Sequence, residues 1–401
     1  MTVRQAVFLV GGKGTRLGGL TQTTPKPLLE IAPGVRFLDV VLEEAARHGF
    51  TDILLLAGHL GDQVEAAYQG KRVREAVVRV LREPAPQGTG GALRFAAEAL
   101  APHFLMANGD SLFDFNLRAL ARPLSAGRLA RLALREVADP ARFGAVTVAG
   151  DRVTGFAEKN PDLKGPALIN AGLYLMDRGV LDLIAGPCSI EQDVFPRLAE
   201  SGRLEGERFD GYFLDMGLPE TYAQARAEVM GRRVRPAAFL DRDGVLNVDH
   251  GYTFRPEDLT LMPGAAEAVR LLNEAGHYVI VVTNQAGVAR GLYEEADVAR
   301  FHAALSDALA EAGAHIDAFY YCPYHEEGAV ARYRVANHPD RKPNPGMILR
   351  AFADWPIDRA RSFLIGDKES DMAAARAAGV AGRLYTGGDV AAAARAALRG
   401  D

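Results

Sequence analysis

The sequence predicts an α/β protein in two domains, and three observations carry that prediction. Short apolar runs alternate with amphipathic helical stretches along the chain. The runs repeatedly end in glycine or acidic residues, as strands do where they meet a ligand crevice at the carboxyl edge of a parallel sheet. The alternation then restarts: after Gly231-Arg232-Arg233-Val234-Arg235-Pro236, a new apolar run leads to Asp241-Arg242-Asp243-Gly244. At 401 residues the chain is long for one core. The boundary falls near residue 234, dividing the chain into domains 1–233 and 234–401.

Composition narrows the classes. Hydrophobic content of 48% and charged content of 24% are those of an ordinary globular protein. A net charge of -5 speaks against broad nucleic-acid binding but permits local basic pockets for phosphorylated small molecules. Cys188 and Cys322 fall in different halves and offer no disulfide framework, which fits a reducing cytoplasm. The apolar run at residues 6–10 is too short for a signal-peptide core, and no stretch approaches a membrane span. The expectation is a cytoplasmic protein without nucleic-acid or membrane partners; a homo-oligomer is left open.

In order, residues 6–10 read as a buried strand followed by Gly11-Gly12-Lys13-Gly14-Thr15-Arg16-Leu17. Glycines let backbone N–H groups turn toward an anion, and Lys13 and Arg16 add positive charge. The loop is neither a Walker A loop nor the dinucleotide fingerprint. Pro25-Lys26-Pro27 presents a lysine on a restrained backbone, suited to a phosphate. Residues 37–48 read as helix, 52–57 as strand and 62–68 as helix, implying a largely parallel sheet. A loop through Gln87-Gly88-Thr89-Gly90-Gly91 opens a helix at 92–100, and the strand 104–107 ends in Asn108-Gly109-Asp110, placing Asp110 to hold a metal.

These segments, with Phe156-Ala157-Glu158-Lys159, Asn170-Ala171-Gly172 and Phe213-Leu214-Asp215, resemble the sugar-1-phosphate nucleotidyltransferases over residues 3–230. Within them the chain looks most like the D-glycero-D-manno-heptose 1-phosphate guanylyltransferases. The resemblance implies a Rossmann-like nucleotidyltransferase fold. It also implies attack by a sugar-phosphate oxygen on the α-phosphorus of a nucleoside triphosphate. It assigns Arg16 and Lys26 to triphosphate and transition-state charge, and Asp110 and Asp215 to Mg2+. Gly11, Gly12, Gly14, Thr15, Gln87 and Gly88 would meet the nucleotide. Lys159 would meet the sugar phosphate, with Glu158, Asn170 and Gly172 beside the sugar. Gly18-Gly19 replaces a bulkier pair common in that family, and guanine is a family inference.

In the second half, the strand ending at Leu240 delivers Asp241 and Asp243 to one side by alternation. Two carboxylates held that close favour a shared cation or proton. Residues 263–275 read as helix, and the strand 278–282 leads to Thr283-Asn284-Gln285-Ala286-Gly287, a hydroxyl and amide cluster suited to an oxyanion. Arg341-Lys342-Pro343 offers two cations before a new helix, and residues 363–365 lead to Gly366-Asp367-Lys368-Glu369-Ser370-Asp371. Residues 389–399 read as a terminal helix.

The four clusters resemble the haloacid-dehalogenase phosphohydrolases over residues 237–385, in particular the D,D-heptose 1,7-bisphosphate 7-phosphatases, near relatives of the histidinol phosphatases. The implied fold is a doubly wound parallel sheet, and the short interval between the first two clusters leaves no room for a large cap. The resemblance makes Asp241 the nucleophile and Asp243 the acid and base. Thr283 and Lys342 would bind the phosphoryl group, while Asn284, Arg341 and Lys368 would touch substrate. Mg2+ would lie between Asp241, the Asp243 carbonyl and Asp367. Relatives often hold Zn2+ in the region 321–341 through Cys-x-His and Cys-x-Cys pairs. Here the later cysteines are absent and His325 is displaced by one position, so a Cys322, His325, His338 site is set against a metal-free loop, which is favoured.

The combined expectation is a bifunctional enzyme handling heptose 1,7-bisphosphate, heptose 1-phosphate and a nucleoside triphosphate, with Mg2+ in both domains. The alternatives are the same chemistries on another sugar 1-phosphate or on histidinol phosphate, or one domain acting as a regulatory sugar-nucleotide-binding module.

Overall fold

The computed structural model describes residues 2–140, 143–157 and 165–400. The chain divides into two compact units, Val3–Gly231 and Arg232–Asp401.

The first unit is built on a sheet whose described strands include β1 (Gln5–Leu9), β2 (Asp52–Ala57), β3 (Ala76–Arg82), β4 (His103–Asn108), β5 (Ala130–Val137), β6 (Ala145–Ala149), β7 (Arg152–Ala157), β8 (Ala167–Asp177) and β9 (Leu204–Arg208). They lie in the order β6-β7-β9-β5-β8-β4-β1-β2-β3. The sheet is mixed rather than largely parallel. Strands β4, β1, β2 and β3 run parallel, and β8 pairs antiparallel with both β4 and β5. Side chains alternate between two cores: Ala6, Phe8, Ile53 and Leu55 on one face, Val7, Leu54, Leu56 and Met106 on the other. A sheet covered on both faces makes near-continuous apolar strands, which is why β1 and β2 read so clearly. The strand order reverses between β1 and β4, and the loops after these two strands carry Gly11 to Leu17 and Asn108-Gly109-Asp110.

Helix α1 (Phe37–Arg47) follows the apolar pattern of the sequence and is closed by an Arg36/Asp39 capping box. Helix α2 spans Gly61–Tyr68. Helix α3 (Gly88–Phe95) begins four residues earlier than its sequence suggests and ends in a tight turn at Ala97–Ala99. Its first glycine must be small and left-handed: a Cβ at Gly88, which has φ of +73°, would lie 2.4 Å from the Cys188 carbonyl oxygen.

The second unit has five described parallel strands: β10 (Ala237–Leu240), β11 (Tyr278–Asn284), β12 (Ala318–Cys322), β13 (Phe363–Gly366) and β14 (Ala381–Leu384). Their order is β12-β11-β10-β13-β14. Ala238, Leu240, Val279 and Val281 enter one core and Ala237, Phe239, Ile280 and Val282 the other, so this sheet too is sandwiched. Its order reverses between β10 and β13, which carry Asp241 and Asp367 just beyond their carboxyl ends. Between β10 and β11 stands helix α4 (Ala265–Glu274), with loops but no inserted domain.

Candidate functional site

In the first unit, a cavity of about 480 Å³ opens at the reversal of strand order. Gly14, Thr15 and Arg16 line it from the loop after β1, Asn108 and Asp110 from the end of β4, and Asn170 and Gly172 from β8. Lys26 Nζ donates to Asp110 Oδ2 at 2.5 Å and lies 3.9 Å from Asp215 Oδ1. The aspartates converge because Tyr212–Asp215 pairs antiparallel with Ser111–Asp114, setting Asp215 opposite Ser111. Two carboxylates with one ammonium between them can hold a hard divalent cation jointly with phosphate oxygens, so the donor set fits Mg2+.

Other expected residues lie elsewhere. Gly11, Gly12, Gln87 and Gly88 do not line this cavity. A Cβ at Gly11 would stand 2.7 Å from the Gly58 nitrogen, and the Gln87–Gly88 loop packs on Cys188, whose backbone nitrogen donates to the Gln87 carbonyl at 2.9 Å. Close chain packing therefore accounts for glycine at positions 11 and 88. Glu158 and Lys159 lie outside the described residues. Asn170 has both ends of its amide engaged, donating to the Tyr174 hydroxyl at 2.9 Å and accepting from the Gly172 nitrogen at 3.0 Å. The cavity also includes Ser189, Glu191 and Gln192, which no motif in the sequence singles out.

In the second unit, a cavity of about 470 Å³ brings together Asp241, Asp243, Thr283, Asn284, Arg341, Lys342 and Lys368. Lys342 is its electrostatic centre. Its ammonium lies 2.9 Å from Asp241 Oδ1 and 2.6 Å from Asp371 Oδ1, and donates to the Val282 carbonyl at 2.9 Å. Burial opposes its charge, but the two carboxylates outweigh burial and raise its pKa. Burial raises the pKa of Asp241 to about 6 against the pull of Lys342, leaving the carboxylate ionised at neutral pH. Asn284 acts on Lys342 itself: its amide accepts from the Lys342 nitrogen at 3.0 Å and donates to the Lys342 carbonyl at 3.1 Å.

Asp243 is held by more donors than its motif suggests. Arg242, fully buried, reaches both of its oxygens from Nη2 at 2.9 and 2.8 Å. Asn247 donates to Oδ1 at 2.9 Å, and Gln285 donates at 2.9 Å to both Asp243 Oδ2 and Thr283 Oγ1. Gln285 is oriented in turn by the Tyr293 hydroxyl at 2.7 Å.

Ligand atoms of Asp241, Asp367 and Asp371 all lie within 4.8 Å of one another. The buried Oδ1 of Asp367 has no hydrogen-bond partner among the described residues, and a Cβ at Gly244 would stand 2.6 Å from Asp367 Oδ2. An oxygen-only cluster with an orphaned buried carboxylate atom fits Mg2+. Asp371, in the first turn of the helix Glu369–Ala378, joins the expected Asp241 and Asp367, whereas the Asp243 side chain is directed to Arg242. The i, i+4 spacing of Asp367 and Asp371 across a strand end and helix start was the available signal.

Cys322, His325 and His338 do not assemble into a three-donor group. Cys322 Sγ lies 4.0 Å from His338 Nδ1, but His338 is stacked on Tyr324 and its Nδ1 accepts from the Asp340 nitrogen. His325 lines the cavity, and burial pushes the Cys322 thiol up to about 11.

Two α/β units, each with lysine and carboxylates at the reversal of its sheet, define an enzyme with two sites for phosphate chemistry. The nucleotidyl transferase family matches residues 5–231, and the HAD-hydrolase-like family matches residues 340–401. The chain is 52% identical over 156 residues to a D-glycero-beta-D-manno-heptose-1,7-bisphosphate 7-phosphatase of Rhodopseudomonas palustris, covering 39% of this chain and 86% of that protein. It is 47% identical over 144 residues to a D-glycero-alpha-D-manno-heptose-1,7-bisphosphate 7-phosphatase of Burkholderia mallei, covering 36% and 76%. The crystal structure of HddC from Yersinia pseudotuberculosis superposes with a TM-score of 0.51 at 27% identity, over 57% of this chain and all of that one; HddC has also been solved complexed with GMP-PN. The chain thus belongs to the nucleotidyl transferase family in its first half and to the heptose-bisphosphate phosphatase family in its second.

Proposed function

We propose that the chain is a bifunctional enzyme of nucleotide-activated heptose synthesis. Its second unit hydrolyses the 7-phosphate of D-glycero-D-manno-heptose 1,7-bisphosphate, and its first unit transfers GMP from GTP to the resulting heptose 1-phosphate, releasing pyrophosphate. The observation that carries this reading is the presence on one chain of a 52% identical heptose-bisphosphate phosphatase region and a unit that superposes on all of HddC. A sugar with two phosphates must lose the distal one and keep the anomeric one, because the anomeric phosphate is the acceptor for a nucleotidyl group.

In the second unit, Asp241 attacks the 7-phosphorus as the bond to O7 breaks, giving an aspartyl-phosphate. Asp243 takes up a solvent proton on leaving Arg242, gives it to O7 as the bond breaks, and recovers one from the water that cleaves the acyl phosphate. Lys342 and the Thr283 hydroxyl balance charge on the transferring group. Mg2+ held by Asp241, Asp367 and Asp371 would add further charge neutralisation there. In the first unit, a phosphate oxygen of heptose 1-phosphate attacks the α-phosphorus of GTP while Arg16 and Lys26 offset the crowded charge. Asp110 and Asp215 would hold the accompanying Mg2+. Release of phosphate from heptose 1,7-bisphosphate and from histidinol phosphate separates this reading from its rival. Preference for the heptose is expected; preference for histidinol phosphate contradicts it.

A further inference from the structure

The first-unit cavity contains a carboxylate that the transfer chemistry does not use. Glu191 stands on a short π-helical turn, Ile190–Val194, and lines the same cavity as Lys26, Asp110 and Asp215. Its Oε2 is fixed by two hydroxyls, Thr89 Oγ1 at 2.7 Å and Ser189 Oγ at 2.9 Å. Thr89 is fixed in turn, accepting from the Ile190 nitrogen at 2.8 Å. The Glu191 charge also acts on Tyr174. Burial first, and that charge second, hold the Tyr174 hydroxyl well above its ordinary pKa, so it stays protonated beneath the cavity. Among the described residues no lysine or arginine forms an ion pair with Glu191.

A carboxylate anchored by hydroxyls and not ion-paired among the described residues is unexpected in a cavity that takes polyanions. It has two physical consequences. It accepts hydrogen bonds from neutral hydroxyls, and it repels a phosphate brought to the same place. Glu191 acts on the Asn170–Tyr174 pair, uncharged polar groups lining the same cavity, and among the described residues forms no ion pair with Lys26, which is engaged by Asp110 and Asp215.

We propose that Glu191 is a specificity residue for the acceptor: it bonds the hydroxyls of the sugar 1-phosphate and excludes sugars that still carry a second, distal phosphate. This rests on the proposed function and gives it an order. The transferase unit rejects the bisphosphate, so dephosphorylation must precede nucleotidyl transfer.

The test uses the full chain with Asp241→Asn, so that the bisphosphate survives the assay. Nucleotide-sugar formation from GTP is measured with heptose 1-phosphate and with heptose 1,7-bisphosphate, with and without Glu191→Gln, which keeps an oxygen acceptor for Thr89 and Ser189. The parent is expected to use the monophosphate and scarcely the bisphosphate. Glu191→Gln should raise the bisphosphate-to-monophosphate ratio of kcat/KM by about 10-fold or more, the scale of one charge-assisted contact, while KM for GTP stays within about 2-fold. Thr89→Val, which loosens the anchor but keeps the charge, should leave discrimination closer to the parent. An unchanged ratio in Glu191→Gln, or equal effects of Glu191→Gln and Thr89→Val, would overturn the proposal. Failure of the parent to use heptose 1-phosphate would instead overturn the proposed function.

Discussion

At the scale of single residues, the second site is a balance of charges around Lys342. Asp241 and Asp371 flank one ammonium, so each carboxylate is tolerable in a buried place only because the lysine is there. Asp241→Asn removes the nucleophile, and phosphate release should fall by at least about 10³-fold while nucleotidyl transfer on supplied heptose 1-phosphate is unchanged. Retained hydrolysis would move the nucleophile elsewhere. Gln285 predicts a different signature. Gln285→Leu removes one donor each from Asp243 and Thr283, leaving Asp243 to Arg242 and Asn247, and takes away the acceptor of the Tyr293 hydroxyl, so phosphatase kcat should drop about 10- to 100-fold. Its KM should change little; a pure KM effect would instead mark Gln285 as a substrate contact. Asp241 was legible because an apolar run ends on it. Arg242 was not, since a charged residue between two aspartates reads as a solvated spacer, yet it is fully buried, with its guanidinium over the Phe301 ring at 4.5 Å.

At the scale of elements, strands covered on both faces declared themselves, and those doing other work did not. Residues 52–57 and 237–240 read correctly because sheets with two cores require apolar residues at successive positions. The turn carrying Ser189 and Glu191 has no comparable signature, and the start of α3 was hidden because its glycines suit a loop as well as close packing on Cys188. The long helix Glu295–Glu311 makes a pH prediction. Its His302 is stacked on Phe319 and faces Arg242; burial first, then that guanidinium, lowers its pKa from 6.5 to about 3. The unfolded chain therefore binds this proton more readily, and the stability supplied by a neutral His302 is lost as pH falls from 6.5 towards about 3. The maximum effect is on the order of several kcal/mol. Urea midpoints of wild type and His302→Phe should diverge between pH 7 and pH 5, with the wild type losing more; parallel curves would contradict a neutral buried histidine.

At the scale of the whole molecule, each sheet has a reversal of strand order beside its own cavity, and each compact unit carries its own cores. Separation at residues 231/232 should yield a transferase and a phosphatase with activities within a few-fold of the intact chain; substantial loss in both soluble halves would argue against autonomous sites. The two-part organisation was legible because a strand ending in Asp-x-Asp restarts the pattern near the middle of the chain. The mixed character of the first sheet was not, since strand direction is set by connections and pairing rather than by apolar content. The central claim is that the two halves act in succession on one sugar, and one reaction tests it most directly. Purified full-length protein is given heptose 1,7-bisphosphate, Mg2+ and each nucleoside triphosphate in turn, and the products are identified by mass spectrometry. The account predicts a GDP-heptose that has lost the 7-phosphate, with phosphate and pyrophosphate released. Heptose 1-phosphate accumulating without any nucleotide conjugate, or a conjugate that keeps both sugar phosphates, would contradict it.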